Sequence, residues 1–309
     1  MAAPSSCTSV SFAEEHNPAC RPTMEDEHII MDGFGGVADQ GLYAVFDGHG
    51  GRGIVDFVKK HFAPILTREL SRAGSSAPSG ENARGAGNSG GGSIFPWESG
   101  SAAACSSSSS SSGCGGGGHS DEVGERLARA FIATDLQSHQ AGIMASGCTA
   151  AVALVRRCPR TGQRVLHAAN VGDSRAVLCE GGKALRVSYD HKANDAHEKA
   201  RIEGAGGFVL KGRVCGILAV ARALGDHSLK RFVSAVPYTS ATPLRDSAAH
   251  PFFIVACDGV WDVMSDQEAV DIVARARTEE EKRQASQWLI DEAMKRESTD
   301  NITAMVVYL

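Results

Sequence analysis

Two apolar runs in this chain end in the same way. Leu42–Phe46 leads into Asp47-Gly48, and Phe252–Cys257 leads into Asp258-Gly259. Each run reads as a strand, and an Asp-Gly pair by itself is most often a turn, because both residues start turns for local reasons. Leu42–Gly53 therefore leaves three readings open: a glycine cradle for phosphate, a metal ligand at Asp47, or a plain strand end. The pair of endings constrains the fold further, since strands that end together bring their acids together. Three more places put carboxylates at the edges of apolar runs: Glu25-Asp26, Gly172-Asp173 and Asp300-Asn301. Two carboxylates about 4 Å apart repel by roughly 4 kcal/mol at an effective dielectric near 20. Several together would protonate or unfold the site unless cations fill it. Oxygen donors without a partnering Cys or paired His select hard ions, so Mg²⁺ or Mn²⁺ is favoured over zinc. An acid cluster holding two such ions suits hydrolysis at phosphorus.

The rest of the chain supplies a frame for those ends. Ile54, Val55, Val58 and Phe62 repeat at helical spacing after the glycines, and Val123, Leu127, Ala130, Phe131 and Thr134 form a second helical face. Short β-type runs follow at Thr149–Val155, Arg164–Asn170, Ala176–Cys179, Gly207–Leu210 and Phe252–Cys257. Ser265-Asp-Gln-Glu268 is a capping box that opens a helix continued by Val270 and Val273. Ala285, Trp288, Leu289 and Ala293 form the core stripe of the next, and Ile302–Leu309 is a final strand. Short connections among the strands predict antiparallel sheets layered with helices, in place of a doubly wound parallel sheet. Closure on a core strand predicts no C-terminal regulatory domain.

Between the first two helices, residues 71–120 are dominated by Gly, Ser and Ala, with seven consecutive serines at Ser106–Ser112. Such a segment buries too little apolar area to offset its ordering entropy, and is expected to be a disordered insertion. Its islands are Ile94-Phe95-Pro96-Trp97 and Cys105. The expected organisation is an N-terminal extension, 1–20, and a single domain, 21–309, that carries the insertion.

Composition excludes several classes. A formal net charge of -5 argues against nucleic acid as a partner, because phosphate backbones demand clustered Lys and Arg. No apolar run approaches the ~18 residues needed to span a membrane. The N-terminus shows no signal sequence, and Ala2 stands where myristoylation needs glycine. Nine scattered cysteines without a C-x-x-C pair fit a reducing compartment, and Cys148, Cys215 and Cys257 lie in apolar runs as small hydrophobes. A soluble monomer of the cytoplasm is expected, with the nucleus as the alternative.

Nine stretches in order carry a resemblance. They are Arg21-Pro-Thr-Met24-Glu25-Asp26, Asp47-Gly-His-Gly-Gly51, Ser146-Gly-Cys-Thr149-Ala150, Asn170-Val-Gly-Asp-Ser-Arg175 and Asp190-His-Lys192. They continue as Arg201-Ile-Glu-Gly-Ala-Gly206, Leu218-Ala-Val-Ala-Arg222-Ala-Leu-Gly-Asp226, Asp258-Gly-Val-Trp-Asp262 and Asp300-Asn-Ile-Thr303. The chain resembles the PP2C (PPM) family of metal-dependent protein serine/threonine phosphatases from about Arg21 onward, outside the insertion. The resemblance implies an α+β, four-layer αββα sandwich: two central antiparallel sheets flanked by pairs of helices. It implies two Mg²⁺ or Mn²⁺ ions bridged by Asp47, one of them also bound by the Gly48 carbonyl. Glu25, Asp258 and Asp300 complete that site, Asp26 is a direct or supporting partner, and Asn301 supports the ligands. Asp173, with Asp258, matches the pair that holds a third, weaker ion. Arg21 matches the arginine that grips the substrate phosphate, as a guanidinium fork suits two oxygens. His49 matches the acid that protonates the departing serine or threonine oxygen, a task fitted to an imidazole. Asp190, Asp226 and Asp262 are read as structural acids that hold loops.

There are departures. Ala221 stands where the family usually has serine, Ala193 replaces a common proline, and Cys148 replaces a small hydroxyl residue. None is a ligand, and they bear on loop rigidity. The flap from Gly207 to about Pro237 helps choose substrates in relatives.

Cys158-Pro-Arg-Thr-Gly-Gln-Arg164 also fits the C-x₅-R pattern of thiol phosphatases. That chemistry needs a strand-to-helix loop, whereas Pro159–Gln163 reads as a turn between strands. Two function classes remain. The favoured one hydrolyses phosphoserine and phosphothreonine on phosphoprotein substrates by direct attack of metal-bound hydroxide. The other is a catalytically inactive binding module of the same fold, which the retained ligands disfavour.

Overall fold

The computed structural model describes residues 5–72, 122–245 and 249–309. The Gly/Ser-rich insertion expected over 71–120, with its islands at 94–97 and 105, lies outside them beyond Arg72.

One sheet has the order β1 (Ser9–Glu15), β15 (Ile302–Tyr308), β14 (Phe252–Ala256), β8 (Arg175–Glu180) and β9 (Lys183–Arg186). The other runs β13 (Tyr238–Pro243), β7 (Arg164–Val171), β6 (Ala150–Arg157), β3 (Gly41–Phe46) and β2 (Glu27–Asp32). Every pairing within the two is antiparallel. Strand alternation sends one set of side chains between the sheets: Tyr43, Val45, Ala151 and Ala153 meet Phe253, Val255, Met305 and Val307. The opposite set of the β3 sheet packs on α1 (Gly53–Ser71) and α2 (Glu122–Gln140) through Phe46, Phe62 and Phe131. The β14 sheet packs outward through Ile254, Ala304 and Val306 on α5 (Asp266–Val273) and α6 (Glu279–Lys295). Three apolar interfaces thus stack four layers, αββα.

The starts of α5 and α6 follow from sequence. Ser265 and Glu268 form the expected capping box, and Thr278 and Glu281 form a second one on α6. Helix α1 ends at Ser71 and α2 begins at Glu122, so the insertion joins two helices.

The expected N-terminal extension, described from residue 5, supplies a strand of the sheet. Ser9–Glu15 pairs with Ile302–Tyr308 along its whole length, with Val10 and Phe12 packed into the inter-sheet core. Ser11 points the other way, where its hydroxyl meets the Ser286 hydroxyl at 2.5 Å and donates to the Arg283 carbonyl at 2.7 Å, seating α6 on the strand. The flap is also less regular than expected. Only Val209–Leu210 (β10) of the run at 207–210 is a strand, paired with Arg213–Val214 (β11). It joins α3 (Ala196–Gly204) around a small core of Ala193, Ile202, Val214, Val220 and Val233. Ala193 donates its N–H to the Ala219 carbonyl at 2.9 Å, a bond proline could not make. At that position the departure from the family pattern adds a tie to the loop.

Candidate metal centre and active site

The two Asp-Gly strand ends belong to opposing sheets. Asp47 follows β3, and Asp258 opens the short helix α4 (Asp258–Trp261) with one residue, Cys257, between it and β14, so the acids face each other across the sandwich instead of along one sheet. Antiparallel pairing brings the other acids to the same end: Glu25 and Asp26 precede β2, which pairs with β3, and Asp300 precedes β15, which pairs with β14. Asp173 lies where the chain crosses from β7 to β8, from one sheet to the other. Glycine at both endings serves close approach. A Cβ on Gly48 would lie 2.4 Å from the Glu25 carbonyl oxygen, and one on Gly259 would lie 2.2 Å from that of Asn301.

Asp47, Asp173 and Asp258 each offer a carboxylate oxygen, and the three oxygens lie within 4.8 Å of one another. Burial raises the Asp47 carboxyl well above the usual range, with Asp258, Asp26, Asp173 and Asp300 adding repulsion. Burial does the same to Asp258, reinforced by Asp173, Asp300 and Asp262. It lifts Asp26 to about 6 against hydrogen bonds from Thr303 and Cys257, and Asp173 to about 6 against the pull of Lys192. Buried carboxylate oxygens of Asp26 and Asp258 find no hydrogen-bond partner. Orphaned hard-oxygen donors that repel one another fit a divalent cation.

The surrounding residues fall into place around this basin. Asp26 accepts from the Thr303 hydroxyl at 2.6 Å. Glu25 stands outside the three-acid group. Its carboxylate accepts from Thr23 at 3.1 Å and weakly from the Gly51 amide at 3.3 Å, and its own N–H donates to Asn301 Oδ1 at 2.9 Å. Asn301 also donates to the His16 carbonyl at 2.7 Å, which ties the β15 loop to the N-terminal strand. Asp300 ion-pairs with Arg21, whose Nε reaches the Thr299 carbonyl at 3.3 Å. His49 Nε2 lies 2.8 Å from Asp226 Oδ2.

Asp190, Asp226 and Asp262 are the three acids expected to be structural. Asp190 is so, bound by Arg175. Asp262 is held by Lys192 at 2.8 Å, yet its charge also pushes up Asp173 and Asp258, and the same lysine stands 3.8 Å from Asp173. Asp226 touches the histidine of the site. Sequence reasoning missed both, although Asp262 sits one helical turn after Asp258 and could have been found from that spacing.

The C-x₅-R decoy lies at the other end of β6. Thr149, just before that strand, donates its N–H to the Asp47 carbonyl at 2.9 Å. The strand's eight residues at about 3.3 Å each then place Cys158 roughly 25 Å away. Its loop joins β6 to β7 as a turn. Hydrogen bonds from Thr161 and from the Thr161 and Arg160 amides lower the thiol to about 7.

The fold is a two-sheet sandwich that gathers carboxylates where its strands end, three of them close enough together to hold a metal ion. The sequence model for the family described as Protein phosphatase 2C matches residues 10–302. Protein phosphatase 2C homolog 1 of Schizosaccharomyces pombe is 39% identical over 296 residues, 96% of this chain and 72% of that protein. Protein phosphatase 2C homolog 1 of Saccharomyces cerevisiae is 32% identical over 311 aligned positions, 97% of this chain and 93% of that protein. The crystal structure of a serine-threonine phosphatase 2C from Toxoplasma gondii shares the fold, with a TM-score of 0.70 at 21% identity, over 98% of this chain and 96% of that one. The chain belongs to the protein phosphatase 2C family and is a protein phosphatase. No helix among the described residues is long and apolar enough to cross a membrane.

Proposed function

We propose that the chain hydrolyses phosphoserine and phosphothreonine on proteins with Mg²⁺ or Mn²⁺ held by Glu25, Asp47, the Gly48 carbonyl, Asp258 and Asp300. Asp26 supports that set through its bond to Thr303, and Asn301 fixes Glu25 by its backbone. Asp173, with Asp258, offers a place for a third, weaker ion. The observation that carries the reading is the convergence of Asp47, Asp173 and Asp258 with raised carboxyls and orphaned oxygens. When bound, such ions supply a water acidified for attack and offset the charge of the phosphoryl group.

The chain's own residues do the rest. Arg21, half-exposed at the rim, is the guanidinium nearest Asp300 and is placed to grip two phosphate oxygens once a cation shares that carboxylate. His49 protonates the serine or threonine oxygen as it departs. The same reading places the protein in the cytoplasm or nucleus, acting on phosphoproteins as a monomer.

The direct test is hydrolysis of a phosphothreonine peptide with Mn²⁺ or Mg²⁺. Turnover that is lost on chelation and restored by the ion supports the reading. No turnover with any divalent metal would leave a phosphopeptide-binding module in its place.

A further inference from the structure

Three two-residue strands form a small sheet beside the acids, in the order β12 (Leu224–Gly225), β5 (Gly147–Cys148) and β4 (Gly48–His49). His49 pairs with Gly147, and Gly147 pairs with Gly225. Asp226 follows directly, so the outer strands bring His49 and Asp226 to either side of Gly147. Their side chains meet over it at 2.8 Å. A Cβ on Gly147 would lie 2.0 Å from Asp226 Oδ2 and 2.4 Å from His49 Nε2. The hydrogen bond therefore fills the space a side chain would take.

Asp226 is costly to place. It is 5% exposed and adopts the left-handed backbone, φ 49 and ψ 39, which aspartate visits uncommonly. Its loop is already held by backbone, since its N–H donates to the Ser146 carbonyl at 3.0 Å and its carbonyl accepts from Leu229 at 2.8 Å. The carboxylate is not needed for that. Among the described residues its one hydrogen-bond partner is His49. A carboxylate only accepts, so Nε2 must carry a proton and donate it. His49 Nδ1 makes no hydrogen bond among the described residues, and the side chain is 30% exposed.

We propose that Asp226 is the positioning residue of the leaving-group acid: it holds the Nε2–H of His49 and so leaves Nδ1 as the atom that delivers the proton. This rests on the reading of His49 given above. As the P–O bond breaks, its electron pair stays on the serine or threonine oxygen, which takes the Nδ1 proton. His49 is left neutral with Nε2–H still on Asp226, and regains a proton from water. Carboxylate, imidazole and departing oxygen then form one line, and the ring cannot turn its wrong edge to the substrate.

The test has two arms. Nitrogen-15 spectra of the metal-free protein at alkaline pH should show neutral His49 protonated at Nε2, and the Asp226→Asn variant should lose that preference. A wild-type ring protonated at Nδ1 overturns the proposal. In the second arm, His49→Ala, Asp226→Asn and the double variant are assayed with Mn²⁺ on a phosphothreonine peptide and on p-nitrophenyl phosphate. Asp226→Asn should lower kcat on the peptide about tenfold or more, with the aryl phosphate within about threefold, and should add little to His49→Ala. Gly147→Ala, which puts a methyl into the hydrogen bond, should give the same pattern. Equal loss on both substrates by Asp226→Asn, or full additivity with His49→Ala, shows a merely structural acid. If His49→Ala itself fails to discriminate between the substrates, the acid reading falls. If it discriminates and Asp226→Asn does not, the dyad falls and the acid stands. Unchanged melting curves for Asp226→Asn keep the comparison valid.

Discussion

Asp173 and Arg175 are separated by one residue and belong to opposite electrostatic worlds. Asp173 faces the basin at the strand ends, where Asp26, Asp47 and Asp258 crowd together and carboxyls rise. Arg175 faces away, and binds Asp190 at 3.1 and 2.5 Å and Asp266 beside it. Arg186 adds a 2.8 Å bond to Asp266. Burial alone would raise Asp266 too, but Arg186 and Arg175 override it and hold that carboxyl below its usual range. Both groups gather acids from loop and element ends, the first at the ends of β3, β7 and β14 and the second after β9 and at the start of α5. The second contains its own counter-charge, whereas in the first only Lys192, 3.8 Å from Asp173, stands against the acids, and Asp47 and Asp258 have no ion-pair partner among the described residues. A neutralised cluster stabilises a fold; an uncompensated one stores repulsion that a cation relieves, and so becomes a site.

That contrast can be broken most directly at Asp47. Asp47→Ala should reduce phosphopeptide turnover with Mn²⁺ by at least about a thousandfold (~4 kcal/mol of barrier), while Asp266→Asn should stay within about fivefold. Comparable losses from both would erase the distinction between the clusters.

Stability should sort them the opposite way. Asp266→Asn leaves Arg175, whose side chain is 9% exposed, short of a partner and should destabilise the protein by about 2–3 kcal/mol. In chelator, Asp47→Asn removes repulsion and should raise the melting temperature. A fall at Asp47 as large as that at Asp266 would mean the basin is not under repulsion.

A smaller effect should appear with pH. Asp26 and Asp173 rise to about 6 in the fold, chiefly by burial, above the ordinary value for an unfolded chain. A raised carboxyl stabilises most below its unfolded pKa, and that contribution is lost as pH climbs through the folded value. In chelator the melting temperature should therefore drop by a few degrees between about pH 5 and 7.5, and saturating Mn²⁺ should flatten the slope. A metal-free protein that grows more stable across that window would contradict the raised carboxyls.

The smallest effect is expected at Cys158. Its lowered thiol makes it the most reactive-looking of the described cysteines, yet it sits at the far turn. Cys158→Ser should keep turnover within about twofold. A loss above tenfold in a folded variant would show that the thiol takes part in the reaction.

How much of this could be read from the chain depends on distance along it. Leu42–Asp47 and Phe252–Asp258 announce themselves because an apolar run and its terminating acid are contiguous. The capping box at Ser265 is legible for the same reason. Strand β1 was obscured by the polar residues around Val10 and Phe12, although the alternation Ser9-Val10-Ser11-Phe12 carries the signal of a half-buried strand. Asp226 was readable as a family acid but not as the partner of His49, which lies 177 residues away. Asp262 was readable as a family acid, but not as part of the field that raises Asp173 and Asp258.

Sequence by itself determined many of the elements, the order of the motifs and the family, because apolar periodicity, caps and Asp-Gly endings act over a few residues. It also supplied the carboxylates. Only the tertiary structure decided which of them would be left without a counter-charge. Desolvation and repulsion depend on three-dimensional separation, and the antiparallel sandwich sends Asp47 and Asp258 to one end from opposite sheets. The same geometry closes Asp226 over Gly147 onto His49, a contact that exists only once the small sheet of β12, β5 and β4 has formed.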